Sequence, residues 1–408
     1  MSRIDGARRF VTHTETTIYI APVWQQWARG MEEADFLIIG AGIAGASAGY
    51  GLASHGRVLL LEQEAVPGYH TTGRSAAFFA ETYGNEAVRR LTTAAKDFFL
   101  APPDGFADGP LVRNRGALFI AGEAQLAALD ALYTDKRRTL ATVTRVDARF
   151  IAEKLPLIRP RAAVAGVWDP ECRDIDVHAL HQGFLRGLRR RGGRVLTHAR
   201  VTALEYANGR WRAACADGRE ARAPVVVNAA GAWGDKVAAM AGVKPVGLVA
   251  KRRTVIIIPA PPQMAGNDWP LTLDVEDKFY LKPESGRILA SPGDATPMEP
   301  QDVQPDEMDV ANAVHRLEAA FDLAVERVER KWAGLRTFAP DETPVVGADP
   351  MVPNFYWFVG QGGFGMQTAP ALSALIEGLV IDGQAPASLQ AFGVEADTYA
   401  PGRFSPSP

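Results

Sequence analysis

Residues 36–55 contain no Asp, Glu, Lys or Arg. A span of that length is long enough to cross a membrane as a helix, but the glycines inside it point elsewhere. Gly40, Gly42 and Gly45 follow the apolar, β-prone run 36–39 and open an Ala-rich helical stretch; a second apolar run, 58–61, ends in the acid Glu62. Strand, glycine turn, helix, strand and acid stand in the order of a dinucleotide-binding βαβ unit. There Gly40 makes the tight turn, Gly42 lets the backbone approach a pyrophosphate, and Gly45 lets helix and strand pack closely. The helix N-terminus then faces the phosphates, and Glu62 stands where an acid binds ribose hydroxyls.

Further along, the pattern alternates between helix and strand periods. Residues 63–84 are Gly- and Thr-rich and read as a loop leading into a helix. Residues 85–100 and 123–133 carry helical periodicity, 155–176 read as irregular and Pro-rich, and 178–191 form a helix stopped by Gly192 and Gly193. From 194 to 223 apolar and polar residues alternate around the turns Asn208-Gly209 and Asp217-Gly218, which predicts an antiparallel meander, followed by the buried strand 225–228. Residues 245–291 are mostly strand, 306–323 a helix, and 355–359 a strand running into a Gly-rich turn and a last helix. Glycine-rich strand-to-helix turns at both ends, with a meander between them, imply a cofactor-binding part visited three times by the chain.

Composition narrows the class. With 47% hydrophobic and 22% charged residues over 408, the chain supports two domains with real cores. A net charge of -3 indicates no general attraction to nucleic acid or anionic membranes. Two cysteines, Cys172 and Cys215, make neither a disulfide framework nor a Cys-rich metal site, which fits a reducing, cytoplasmic location. The seven histidines show no metal-ligand spacing, so no metal is expected. Residues 1–30 have too short an apolar patch for a secretory signal, and Met31 is a natural start just before the first core strand. They read as an extension outside the fold.

Four stretches then carry a resemblance: "GAGIAGAS" with "LLLEQEAVPGYHTTGRSAA", "VVNAAGAW", "WAGLRTFAPDETPVVG" and "GQGGFGMQTAP". In this order they resemble the FAD-dependent D-amino acid oxidase/dehydrogenase superfamily, and within it the bacterial D-arginine dehydrogenase-type enzymes, from about residue 34 to the C-terminus. The resemblance implies an α/β fold: a Rossmann-type FAD-binding domain (31–80, 150–235 and 332–408) with an inserted β-rich α+β substrate domain (81–149 and 236–331). It implies FAD, held non-covalently because neither cysteine is near the C-terminal glycine turn in sequence. The cofactor-binding residues would be Gly40, Gly42, Ile43, Ala44, Gly45, Glu62 and Gln63. Thr72, Gly73, Arg74, Ser75 and Ala76 would lie along the pyrophosphate and ribityl chain, Val201 at the adenine, and Ala230 and Gly231 on the opposite side. Gly362, Gly363, Gly365, Met366 and Gln367 would face the flavin's pyrimidine edge.

At the substrate end an amino acid carboxylate calls for a fixed guanidinium. Arg336, inside the apolar run 332–338, needs an anion partner if buried. By resemblance it is the carboxylate clamp, joined by Arg253, although Lys251 and Arg252 beside Arg253 leave a solvated basic cluster as the other reading. Tyr83 and Tyr280 match active-site tyrosines, with Tyr83 on a mobile loop, and Gly363 and Gln367 complete the set. Where the D-arginine enzymes carry a carboxylate, a His and a Thr, this chain has Ala117, Phe78 and Ala80. The expected reaction is oxidative deamination of D-amino acids, neutral or hydrophobic ones, with D-arginine left open. Oxygen or a quinone- or dye-type acceptor would take the electrons. The rivals are a secondary-amine oxidase of the sarcosine or glycine oxidase type and a non-catalytic flavin-binding subunit.

Overall fold

Five short, largely apolar strands stack in parallel in the order Arg194–Leu196, Val58–Leu61, Phe36–Ile39, Val225–Asn228 and Phe355–Val359; Val345–Ala348 adds an antiparallel edge. This computed structural model describes residues 31–266 and 268–404, so the expectation for residues 1–30 lies outside the described residues. Val58–Leu61 and Phe36–Ile39 are buried along their whole length, hence their unbroken hydrophobicity. Phe36, Ile38, Val58 and Leu60 point to one core, while Leu37, Ile39, Leu59 and Leu61 point to another. The first core is closed by the helices Ile43–Leu52, Val177–Arg190 and Gly365–Ile381; the second is closed partly by a four-stranded sheet that includes the meander Val201–Ala207, Arg210–Cys215 and Glu220–Ala223.

A ten-stranded mixed sheet forms the other half. Near one edge lies the long antiparallel pair Arg330–Phe338 and Val249–Pro259, and the sheet runs from there through Arg287–Ser291, Tyr280–Glu284, Leu271–Asp274 and Ala117–Ala121 to Ala165–Asp169 and Thr144–Asp147. Period-two alternation gives it two dressed faces. Ile256, Ile258, Leu281 and Ile288 pack under the helix Glu307–Ala320, whereas Val255, Ile257, Tyr280 and Leu289 share a cluster with Ala80, Ala117 and Phe119. The sheet is joined to the parallel unit by its far edge, Gln361–Gly362, which pairs with Arg330–Phe338 and leads straight into the last helix.

Three assignments change. Arg194–Leu196 is not part of the meander but pairs in parallel with Val58–Leu61. A three-residue apolar strand reads the same in either sheet. The region 155–176, expected to be irregular, holds Ala165–Asp169 in the large sheet and Arg173–Ile175 in a small sheet with Phe78–Phe79 and Val112–Asn114. Residues 165–169 therefore pair with strands expected in the substrate part, as does Arg330–Phe338. No helix among the described residues is long and apolar enough to cross a membrane; the helix after Gly42 is only ten residues long.

Candidate active site

The first glycine turn is built as its sequence requires. Gly40 has φ of 99°, and a Cβ there would stand 2.6 Å from the Ala229 carbonyl oxygen. A Cβ on Gly45 would stand 1.8 Å from the carbonyl oxygen of Gly40, so helix and turn touch backbone to backbone. The following helix has no acid in its first turn, leaving its N-terminus open to an anion. The Thr72 hydroxyl accepts from the Ile43 amide at 2.9 Å, and its own proton remains free to donate. Glu62 accepts from the amides of Ala41 (2.8 Å) and Glu64 (3.0 Å). Burial raises its pKa, against the pull of those two amides.

A cavity of about 440 Å³ runs from this turn to the face of the large sheet, within the usual size of ligand sites. Its wall includes Gly40, Gly42, Ile43, Ala44, Glu62, Gln63, Thr72, Arg74, Ser75, Ala76, Val201, Ala230 and Gly231 along its length. Gly362, Gly363, Gly365, Met366, Gln367, Arg253, Tyr280, Tyr83 and Arg336 line it as well. One cavity thus gathers nearly every residue singled out from the sequence. Gly45 and Gly73 are the exceptions. Each serves close backbone packing instead, Gly73 with a virtual Cβ 2.7 Å from the Gly68 carbonyl oxygen.

Strand register explains the sheet end. Arg253 lies opposite Gly334 and Lys251 opposite Arg336, so Arg253 and Arg336 are diagonal neighbours on one face, with Gly334 leaving room between them. Arg252 turns to the other face, where it donates to Asp309 at 2.8 Å, and Lys251 pairs with Glu342. The reading of 251–253 as one solvated basic cluster is therefore set aside. Arg253 is only 8% exposed; its Nη2 has a long contact to Asp277 (3.4 Å), while Nε and Nη1 find no partner. Arg336 lies deep in the protein, keeps some accessible surface where it borders the cavity, and makes no ion pair within 4.0 Å among the described residues. Burial works against its charge, yet Tyr83, Tyr280 and Asp277 around it leave its pKa above the ordinary guanidinium value. Gly363 packs on it, 3.2 Å from a virtual Cβ to Nε. Arg253, with two buried donors unpaired, and Arg336, with no ion pair, both face a cavity lined, among the described residues, by a single carboxylate, Glu62, at the other end. Such a site is complementary to an anion.

Several expected roles change. Gln367 lies in the wall, but its amide accepts from Ala80 N (3.2 Å) and donates to Thr92 Oγ1 (2.9 Å) and the Tyr83 carbonyl (3.4 Å), so it braces the 80–83 turn. The Arg74 guanidinium donates to the carbonyls of Val303 and Ala333 and pairs with Asp302; it anchors the loop to the strand Arg330–Phe338. Of Phe78, Ala80 and Ala117, only Phe78 borders the cavity; Ala117 is 2% exposed, in the core of the sheet. Phe78, Tyr83 and Phe364 form an aromatic row with ring separations of 5.2 and 5.0 Å.

Other wall residues were not picked out. Trp233, Lys236 and Met240 lie along the short helix after 231, and Tyr69 and His70 along the loop; none has a motif of its own. His181 was also missed. It is buried, and its Nε2 lies 2.9 Å from the Ala41 carbonyl, which can only accept, so Nε2 carries the proton. Burial lowers its pKa, keeping it neutral. A lone His in an amphipathic helix gives no signal for such a role.

The glycine cradle, the open helix N-terminus, the Thr72 hydroxyl and Glu62 at the strand end fit a dinucleotide-type cofactor. Neither Cys172 nor Cys215, both free and buried, borders the cavity. Comparison with known proteins agrees. The family model described as DAO, FAD dependent oxidoreductase, matches residues 35–378. The chain is 24% identical over 414 residues to the FAD-dependent oxidoreductase domain-containing protein 1 of Bos taurus, covering 86% of this chain and 82% of that one. It is 26% identical over 279 residues to the mitochondrial dimethylglycine dehydrogenase of Homo sapiens, covering 64% of this chain and 32% of that one. In structure it resembles the iminodiacetate oxidase of Chelativorans sp. BNC1, with a TM-score of 0.75, 22% identity and coverage of 90% of this chain and 98% of that one.

Proposed function

Because this chain belongs to the FAD dependent oxidoreductase (DAO) family, and is thus an FAD-dependent oxidoreductase acting on an amine or amino acid, we propose that it oxidises D-amino acids with uncharged, apolar side chains. The product is the imino acid, which water hydrolyses to a 2-oxo acid and ammonia. Bound FAD supplies the acceptor for the hydride that leaves the substrate α-carbon. The observation that carries the reading is that Arg253, with Nε and Nη1 unpaired, and Arg336, with no ion pair among the described residues, face one cavity together.

The protein's own work is positioning. Arg336 and Arg253 take the carboxylate, with Tyr83 and Tyr280 beside the Arg336 charge. A carboxylate fixed at one end leaves the α-carbon little freedom, which is how binding lowers the barrier for a transfer needing alignment. Among the described residues no carboxylate lines the cavity at the clamp end, and Asp277 nearby is in contact with Arg253, so the substrate is taken as the neutral amine and no strong base is assigned. For the same reason a cationic side chain meets no lining anion there among the described residues, while Phe78 and Val255 offer apolar contact. The D configuration, and the kinship with D-arginine dehydrogenase-type enzymes, rest on the sequence motifs. The cytoplasmic location and an oxygen or quinone-type acceptor belong to the same proposal.

Anaerobic bleaching of the flavin absorbance with a panel of D- and L-amino acids tests it. D-leucine, D-methionine or D-phenylalanine should bleach faster than D-arginine, and L-enantiomers should not bleach. A second reading is oxidation of a secondary or N-methylated amine carrying a carboxylate, supported by the likeness to dimethylglycine dehydrogenase and iminodiacetate oxidase. Faster bleaching by sarcosine, dimethylglycine or iminodiacetate than by any D-amino acid would select it.

A further inference from the structure

Behind the wall formed by Phe78 and Tyr83 lies a buried polar knot with no part in the scheme above. Lys136, on the helix Leu126–Thr139, is 5% exposed, and its Nζ sits 4.2 Å from the centre of the Phe119 ring. It donates to the Thr82 carbonyl at 3.1 Å and to the Thr82 hydroxyl at 3.3 Å. The hydroxyl in turn donates to Oδ2 of Asp169 at 2.8 Å, and Asp169 is wholly buried on the strand Ala165–Asp169. Cation and anion are thus joined through one threonine rather than by direct contact. Burial lowers the Lys136 pKa to about 8, with Asp169 opposing; Arg89, Cys172 and Asp135 are the other titrating neighbours.

A charge held in an apolar cluster costs stability unless it does something the fold needs. What this one fixes is a turn. Tyr83 N donates to the Ala80 carbonyl at 3.0 Å, Gln367 braces the same turn from the last helix, and Lys96 pairs with Glu81 at 2.6 Å. Thr82 is the member held from the large sheet and its covering helix, and the next residue is Tyr83, which stands beside Arg336.

We propose that Lys136 is a positioning residue: through the carbonyl and hydroxyl of Thr82 it holds Tyr83 beside Arg336 and so sets the affinity of the site for the substrate carboxylate. The inference rests on the reading of Arg336 as the carboxylate clamp. It is tested in the holoenzyme with Lys136→Met, Thr82→Val and Thr82→Ser. The readouts are the Kd of benzoate, from the flavin difference spectrum, and steady-state kcat and KM. Lys136→Met and Thr82→Val should raise Kd and KM about tenfold or more, because the competent turn is less populated, while kcat at saturation and FAD content stay near wild type. Thr82→Ser, which keeps the hydroxyl, should restore wild-type values. If Lys136→Met does not fold, Thr82→Val decides. Wild-type Kd and KM in a folded Thr82→Val, or an equal defect in Thr82→Ser, overturns the proposal. Benzoate binding that is unaffected by Arg336→Ala overturns the clamp reading itself, a result distinguishable from the first.

Discussion

Arg336 is held on a strand that borders the cavity from Gly334 to Thr337 and is paired to Val249–Pro259, so its guanidinium cannot turn away to solvent as a surface arginine would. Arg336→Ala should lower kcat/KM by roughly a hundred- to several-thousand-fold, the equivalent of about 3–5 kcal/mol for losing one partner of a buried charge pair, with FAD content unchanged. Arg336→Lys should recover only part, because an ammonium cannot reproduce the two-pronged grip. Steady-state kinetics on the strongest bleaching substrate checks both, and near-normal values in Arg336→Ala would mean that the residue is structural. Ala117 has a different outcome. It was read as the place of a substrate-facing acid, but its side chain is sealed in the sheet core with Phe119 and Leu271. Ala117→Glu should therefore destabilise the fold by roughly 3 kcal/mol or more, since a carboxylate would be buried without a partner; thermal unfolding measures this. A stable Ala117→Glu enzyme with a new preference for D-arginine would contradict it. The contrast shows what residue identity alone reveals. An arginine in an apolar run announces an unmet charge, whereas an alanine gives no sign of which way it points.

Among the elements, the glycine turn before Ile43–Leu52 was the most legible, because Gly40 and Gly45 answer backbone contacts that no side chain tolerates. Gly45→Ala places a methyl 1.8 Å from the Gly40 carbonyl oxygen. Overpacking of this kind costs about 1–3 kcal/mol, so the variant should bind FAD roughly tenfold to a hundredfold more weakly. Fluorescence titration of FAD into the apoprotein reads this directly, and unaltered affinity would show that the turn can shift at no cost. Less legible were the strands Arg194–Leu196, Ala165–Asp169 and Arg173–Ile175. Each is only three to five residues long and sits at a sheet edge, between neighbours or beside prolines. Apolar alternation states that such a segment is a strand but not which sheet accepts it; the partner is chosen by packing at long sequence distance. The Lys136–Thr82–Asp169 knot was invisible for the same reason, since its members are brought together from three elements.

At the scale of the whole molecule, the site is a seam between the parallel sheet and the large mixed sheet, and residues remote from the chemistry keep the seam in shape. His181 is one of them, tying the helix Val177–Arg190 to the carbonyl of Ala41 inside the glycine turn. Its folded pKa lies below the ordinary value of 6.5 because burial disfavours the charged ring, with His178 and Arg189 adding repulsion. The unfolded chain therefore binds a proton that the folded one refuses. Stability from this residue is fully present above about pH 6.5 and is lost as pH falls through the folded pKa. Urea midpoints should accordingly fall more between pH 7.5 and 5.5 in the wild type than in His181→Gln, which keeps a donor but does not titrate; equal slopes would remove His181 from the account. The seam also divides recognition between separate pieces of chain. Arg253 and Arg336 come from two paired strands, while Phe78 and Tyr83 come from the short segment before the helix Glu86–Leu100. On the proposed reading, Arg253 and Arg336 grip the carboxylate common to all amino acids, Tyr83 reaches in beside Arg336, and Phe78 faces what distinguishes one amino acid from another. On that reading, what the enzyme accepts can be retuned at the one short segment that carries Phe78, while the paired strands that hold both arginines stay as they are.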